Sequence, residues 1–454
     1  MTRTYTGTCP PRRRRVSSPG TVVVDFSPGR KKAPPPKVIT IDGQKCKPTL
    51  ILDTFFVFVA KRYRVHRNRL AGKPQPWTDD PILQQYPFTN VFRVLDRVTQ
   101  YILRNVIETG DRSLEEQCFR VMLFRSFNKI ETWEALTEHF GELTWRDFDL
   151  KAYEKVLLDR MNTGVALYGP AYILPSAKLG GQSNASNHLR LIQLMMEEDL
   201  LGQLQQLHHL KDAHGRISLF PGMGDFMALQ LLLDLNMTPH FNYSEDEWVA
   251  LGPGSLECLR KMFGPQVRGR ELDALRYLHR TQHDHFARLY TAPKDIPQLA
   301  GRTRGMSMVD IEHALCECEK YSRAYHPTIQ GRRQKVGKRQ FVPRPGPITD
   351  SVPEHWLDPE KWRRQTFTYP PPMMVRGEPV YEVSHIVMEK RGQNGADPSY
   401  LIRWVGYGPD DDTWERKSTL VDGSPEVLEE WESAKARIQA RMLEMQEMGT
   451  VYRP

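Results

Sequence analysis

Two short runs near the C-terminal end decide the reading of the chain: Tyr381-Glu382-Val383-Ser384-His385-Ile386-Val387 and Tyr400-Leu401-Ile402-Arg403-Trp404-Val405-Gly406-Tyr407. Residues 381–387 and 400–404 alternate in the manner of strands that bury one face. Gln393-Asn394-Gly395 and Gly408-Pro409-Asp410 carry turn chemistry. Asp412-Thr413-Trp414-Glu415 follows, with Trp414 expected in the core. Glu426 to Ala436 reads as an amphipathic helix closing one end of the sheet. Residues 378–437 are therefore expected to form a small α+β domain: a three-stranded antiparallel sheet and a C-terminal helix. Residues 438–454 extend that helix.

Upstream lies a basic, proline-rich linker, 328–377, with Pro343, Pro345, Pro347, Pro353, Pro359 and Pro370-Pro371-Pro372. Before it, residues 48–327 show helical periodicity and little strand alternation, so the fold class is mainly α. Val91, Leu95, Val98 and Ile102 recur at helical spacing, and Thr89 or Asn90 can cap that helix. Residues 1–47 read as a disordered basic tail. They hold 11 Lys/Arg against Asp25 and Asp42, and include Arg12-Arg13-Arg14-Arg15.

The net charge of +8 favours an anionic partner, and the two basic segments suit DNA phosphates or nuclear import. No apolar run is long enough to cross a membrane, so no membrane partner is expected. The cysteines at 9, 46, 118, 258, 316 and 318 have no paired zinc spacing and read as reduced thiols; no metal is expected. The residues name no cofactor and no oligomeric state.

Three segments of the helical body carry chemistry. Along the helix expected from Thr89, the residues Arg93, Arg97, Gln100 and Arg104 fall on one face, suited to an anionic substrate or to solvent. Next, Pro221-Gly222-Met223-Gly224 runs into an apolar helix, after a helix expected to end near Leu210. This is helix-hairpin-helix patterning, in which Gly222 and Gly224 let backbone N–H groups approach a DNA phosphate. Downstream, Asp246 precedes a second turn, Gly252-Pro253-Gly254-Ser255, at about the distance of a glycosylase-type catalytic Asp. Finally, in 306–321, Ile311, Leu315 and Cys318 make an apolar face. Asp310, His313 and Glu317 make another, able to bind a metal, to move protons or to form an ionic network.

The C-terminal domain resembles the chromodomain of heterochromatin-protein-type readers over nearly all of 378–436. The resemblance implies a methylated histone tail as partner and a methyl-lysine cage formed by Tyr381, Trp404 and Tyr407. Asp411 stands where the family often has an acid. The bound tail is expected to add as a strand between the domain's first segment and the stretch after Trp414. Arg416, Lys417 and Thr419 stand where a Pro and an Asn-type clamp are usual, which leaves the histone mark open.

Over roughly 50–325 the three body segments resemble the helical domain associated with 5-hydroxymethyluracil DNA kinases, also described as the glutamyl/putrescinyl-thymine pyrophosphorylase family. That likeness implies action on, or recognition of, a hypermodified thymine or hydroxymethyluracil base. Arg93 and Arg97 would hold phosphate, and Asp246 or the Asp310/His313/Glu317 cluster would serve as base. No Gly-x-x-x-x-Gly-Lys-Ser/Thr occurs, so no P-loop kinase activity is expected. The expectation is a nuclear, chromatin-associated, DNA-binding protein. A non-catalytic scaffold and a helix-hairpin-helix glycosylase-like enzyme stand as alternatives.

Overall fold

A computed structural model of the chain describes residues 4–5, 36–171, 174–301, 305–329, 331, 335–343, 348–358, 367–390, 392 and 397–451. Arg12 to Arg15, Arg332, Arg333, Arg344 and the Gln393-Asn394-Gly395 turn lie outside the described residues. In chain order the elements begin with strands β1 (Thr4–Tyr5), β2 (Ile39–Ile41) and β3 (Gln44–Cys46). Helices α1 (Ile51–Leu70), α2 (Pro81–Gln85), α3 (Arg97–Ile102), α4 (Leu114–Phe127), α5 (Ile130–Phe140), α6 (Leu150–Asn162) and α7 (Asn184–Glu197) follow. Then come α8 (Leu200–Gln205), α9 (Leu210–Ile217), α10 (Asp225–Leu235), α11 (Pro253–Phe263), α12 (Glu271–Arg288) and α13 (Met308–Tyr325). Strands β4 (Met373–Val375), β5 (Glu378–Lys390), β6 (Ser399–Trp404) and β7 (Thr413–Arg416) precede α14 (Lys417–Gly423) and α15 (Pro425–Val451).

The elements fall into two compact units. One gathers Ser18–Leu103 with Glu245–Arg363. Its core lies between α1, which buries Phe55, Phe56, Phe58 and Val59, and α13, which buries Ile311, Leu315 and Cys318. The spacing of those three residues on α13 predicts that buried face. Leu259 and Met262 of α11 pack in the same layer.

Two segments of this unit differ from the sequence expectation. Residues 39–46, placed above in a disordered tail, form a hairpin whose Ile39, Ile41 and Cys46 are buried. Asp42 and Gly43 turn it with positive φ angles of 42° and 74°, as an Asp-Gly turn between alternating apolar residues should. The proline-rich linker is also pinned in part. Phe341 N donates to Gln85 O (2.8 Å), Ser351 N donates to Gln100 Oε1 (3.0 Å), and Trp356 is buried. Backbone N–H groups between the prolines and the buried Trp356 ring give it places to dock.

The other unit gathers Met1–Ser17, Arg104–Ser244 and Arg364–Pro454. Helix α10 is apolar on all sides and buried from Met227 to Leu235. It pairs its one buried acid, Asp234, with the buried Arg125 of α4. The C-terminal sheet contains the three expected strands, β5, β6 and β7, all antiparallel. It is larger than expected, because β4 pairs with β5 and β1 adds to the free side of β5. Val383, Ile386, Tyr400, Ile402 and Trp431 form its core. Trp414, expected in that core, is 49% exposed: it points away from the face that α15 covers, and Trp431 of α15 fills the core instead.

Candidate functional site

Helix α13 organises the first site. Ser307 and Asp310 form a capping box, with Ser307 Oγ donating to Asp310 Oδ2 (2.7 Å) and Asp310 N donating to Ser307 Oγ (3.0 Å). The second carboxylate oxygen, Oδ1, accepts from Arg93 N at 3.2 Å. Two residues on, Glu312 Oε1 accepts from Gly252 N (3.0 Å) and Ser255 Oγ (2.8 Å), which fixes the Gly-Pro-Gly-Ser turn. Glu317 Oε2 accepts from Thr89 N (3.0 Å) and pairs with Lys338 Nζ (2.8 Å), while Oε1 takes Lys320 Nζ (2.6 Å). Three acids of one helix thus fasten segments 88–93 and 252–255, which are far apart in sequence.

Burial alone would raise the Glu317 carboxyl, but Lys338 and Lys320 outweigh it and hold the group at about 2. Burial raises Glu312 despite its bonds to Gly252 and Ser255. Burial lowers His313, against the pull of Asp96 and Glu317, so the ring is neutral near pH 7. Its Nε2 is buried and has no hydrogen-bond partner among the described residues. The same holds for Thr89 Oγ1 and Arg62 Nη1. Arg62 Nε donates to Phe88 O at 2.9 Å, and burial lowers its guanidinium to about 10.

The expected helix with Arg93, Arg97, Gln100 and Arg104 on one face does not form. Asn90 Oδ1 accepts from Phe92 N (3.2 Å), turning the chain instead of capping a helix. Arg93–Leu95 is a 3-10 turn, Asp96 is extended, and α3 starts only at Arg97. Arg93 is therefore buried and Arg97 exposed. Gln100 is buried, donating to Val94 O (2.7 Å) and Ser351 O (2.8 Å). Asp246 lies in the same unit, where its Oδ1 is 3.1 Å from His279 Nε2. No group of three or more His, Cys, Asp or Glu among the described residues is placed to hold a metal. Sequence reasoning passed over Arg62, because Lys61-Arg62-Tyr63-Arg64 reads as a solvated face; only its partner Phe88 betrays it.

The hairpin belongs to the other unit. Where a helix was expected to end, Leu210 instead starts α9, the first helix of the hairpin, which runs to Ile217. Gly222 has φ +79°, and a Cβ there would stand 2.9 Å from Pro175 O, so glycine is required. Gly224 caps α10 with an ordinary φ of −74° and open space around it.

The second site lies on the C-terminal sheet. Tyr381 of β5 sits 6.1 Å from the Trp404 ring and 5.9 Å from the Tyr407 ring, edge-on to both. Gly406, at φ +78°, folds the chain after β6 so that Tyr407 N donates to Trp404 O (3.1 Å) and the third ring returns to the first two. Tyr407 Oη donates to Pro370 O (2.9 Å). Asp411 is buried, with Oδ2 accepting from Gly408 N at 3.2 Å.

This domain is keyed to α9. Both terminal nitrogens of Arg403 reach Asp212, at 2.9 and 2.7 Å, and its Nε reaches Asp412 at 2.6 Å. Lys211 Nζ donates to Asp412 Oδ2 (2.7 Å) and Pro409 O (3.0 Å). A Cβ on Gly215 would meet Val387 O at 1.8 Å, so glycine lets β5 lie on α9.

Among the described residues no helix is long and apolar enough to cross a membrane. Residues 49–331 match the family described as 5-hmdU DNA kinase, helical domain. Residues 381–434 match the chromo (chromatin organisation modifier) domain. The chain is 25% identical over 311 residues to a 5-hmdU DNA kinase of Bacillus phage SP10, covering 63% of this chain and 47% of that protein. It is 47% identical over 58 residues to the histone-lysine N-methyltransferase, H3 lysine-9 specific, of Schizosaccharomyces pombe, covering 13% and 12% of the two chains. A chromo domain-containing protein 1 from the same yeast is 38% identical over 65 residues, 14% of this chain and 7% of that one. The chain thus spans less than half the length of each of these relatives, and no solved structure matches it. The chain belongs to the family defined by the 5-hmdU DNA kinase helical domain, and it carries a chromodomain at its C-terminal end.

Proposed function

We propose that the protein is a nuclear chromatin factor that holds a methylated histone lysine in the Tyr381/Trp404/Tyr407 cage and recognises a modified pyrimidine of DNA in the unit built on α13. The observation that carries the second half is the convergence of segments 88–93 and 252–255 on α13, with Arg62 Nη1, Thr89 Oγ1 and His313 Nε2 buried and unbonded. Unsatisfied buried polar groups are costly and cluster where a ligand completes them. A base contacted there must leave its stack, and buried donors and acceptors suit its hydrogen-bonding edge.

The arrangement favours His313 over its neighbours as a proton acceptor. Asp310 spends its oxygens on the helix cap and on Arg93, and Glu317 is a tethered anion. Asp246 is turned to His279. Exposed Arg97 supplies positive charge for a phosphate, a role that buried Arg93 does not share, and the Gly222–Gly224 turn and Arg12 to Arg15 supply contacts to the DNA backbone. No P-loop occurs in these residues, so the phosphate is taken here as part of the substrate.

The test is binding to duplexes that contain thymine, 5-hydroxymethyluracil or its phosphate ester, followed by nucleoside mass spectrometry. Preference for a modified duplex, lost in His313→Ala and Arg62→Met variants that still fold, is expected. Equal affinity for all three duplexes with unchanged nucleosides would leave the non-catalytic scaffold reading.

A further inference from the structure

Strand β1 lies where a histone tail is expected. Thr4 pairs with Glu382 and Tyr5 with Tyr381, antiparallel, on the side of β5 away from β6. It also touches α14, the stretch that follows Trp414 and β7. A tail read by strand addition enters between those same two elements, the domain's first strand and the segment after Trp414. Tyr381, whose backbone pairs with Tyr5, is itself a wall of the aromatic cage. The cage is enclosed: Tyr381 is 8% exposed and Trp404 1%. From the other side, residues 367–370 cross the loop that carries Tyr407, with Tyr369 N donating to Gly406 O (3.2 Å) and the Tyr369 ring 5.6 Å from that of Tyr407.

We infer that the β5 edge at Tyr381–Glu382 is a strand-binding surface that the chain's own Thr4–Tyr5 strand occupies in the absence of a histone tail, so that tail and strand compete for one slot. The inference rests on the reader function proposed above only for the identity of the competitor; the occupancy itself stands on the backbone register. An edge strand with free N–H and C=O groups takes up whatever extended segment is held near it. A tethered segment acts at high effective concentration without strong contacts of its own. The competing tail then binds with its intrinsic affinity divided by the fraction of molecules whose slot is open.

Two measurements on the full chain test this, beside a chain lacking residues 1–8 and a Thr4→Pro/Tyr5→Pro variant, which cannot donate to the ladder. The first is amide hydrogen exchange across residues 380–384. Protection in the full chain that falls in both altered chains is expected; equal exchange in all three overturns the inference. The second is titration with a histone tail peptide carrying trimethyl-lysine. An open fraction near a tenth predicts that both altered chains bind on the order of tenfold more tightly. Equal affinity across the three chains refutes the competition. If no chain binds the peptide, the reader function fails, while the exchange measurement still decides whether β1 fills the slot.

Discussion

Arg403 and Asp212 meet fork to fork, with Nη1 on Oδ2 at 2.9 Å and Nη2 on Oδ1 at 2.7 Å, both side chains buried. Arg403 lies on the chromodomain's central strand and Asp212 on α9 of the helical region, so one charge pair joins the two. Removing Arg403 takes from buried Asp212 its bidentate partner and leaves it His385 Nε2 at 3.3 Å. Arg403→Met is expected to destabilise this unit by about 3–5 kcal/mol. The double variant Arg403→Met/Asp212→Leu should recover part of that loss, because no unpaired charge remains. A double-mutant cycle in urea, with each variant's midpoint followed by tryptophan fluorescence, measures the coupling; strict additivity would mean the pair contributes nothing.

Trp404→Ala should remove trimethyl-lysine binding at a cost of about 2 kcal/mol or more, the worth of a desolvated cation–π contact. Trp404 is also core, so the comparison variant is Tyr407→Leu, which keeps bulk and loses the ring's negative face. Peptide titration of both, with circular dichroism as a check on folding, distinguishes a cage from a packing cluster. Full affinity in Tyr407→Leu would argue for packing.

Glu317 ties acid stability to the α13 site. Its folded value of about 2 lies below the ordinary carboxylate value of 4.5. The stabilisation it brings is therefore fully present above about pH 4.5 and is lost as pH falls toward 2. Glu317→Gln should flatten the acid limb of the stability curve in that window and lower stability at pH 7. Thermal melts from pH 7 to pH 2.5 test this; identical limbs would mean that Lys338 and Lys320 do not hold the carboxylate in solution.

Replacing Arg12 to Arg15 with alanine should reduce the slope of log affinity for DNA against log salt by up to about 3.6, if all four contact phosphate. The substitution is better than removal of residues 1–47, which would also take away the buried hairpin at 39–46. An unchanged slope would assign the run to another task, such as nuclear import.

Gly215→Ala should destabilise the chromodomain's seat on α9 by about 1–3 kcal/mol, since the added methyl meets Val387 O at 1.8 Å and one backbone must shift. A lowered melting temperature is expected, with secondary structure kept. An unchanged one would show that α9 and β5 have room to part.

Much of this architecture was legible in the sequence where side-chain period and chemistry agree. The period-two runs at 381–387 and 400–404 gave the strands, and Tyr381, Trp404 and Tyr407 do converge. The apolar face of α13 followed from Ile311, Leu315 and Cys318. The misreadings have separate causes, and only one of them involves a partner distant in sequence. Val91, Leu95 and Val98 have helical spacing, yet Asp310 holds Arg93 N and Asn90 holds Phe92 N, which leaves a 3-10 turn. Trp414 looked like core because of its size, but its position in β7 faces outward. The hairpin at Ile39–Cys46 carried its own Asp-Gly signal and was masked by the basic, proline-rich residues around it. That α13 would join segments 88–93 and 252–255 through Asp310, Glu312 and Glu317 is a tertiary fact with no trace in spacing.

The seat formed by Asp212, Lys211 and Gly215 also bears on how this protein can be re-engineered. Reader modules are commonly treated as interchangeable cassettes. A foreign chromodomain grafted at 378–437 would place some other residue where Arg403 stands, and Asp212 would then be sealed beneath it as a lone anion. The grafted strand would also have to bring its backbone at position 387 as close to α9 as Val387 O comes, where Gly215 leaves no slack. A graft would need arginine at the first position and the same close backbone approach at the second, so a chromodomain can be exchanged here only together with the socket that receives it.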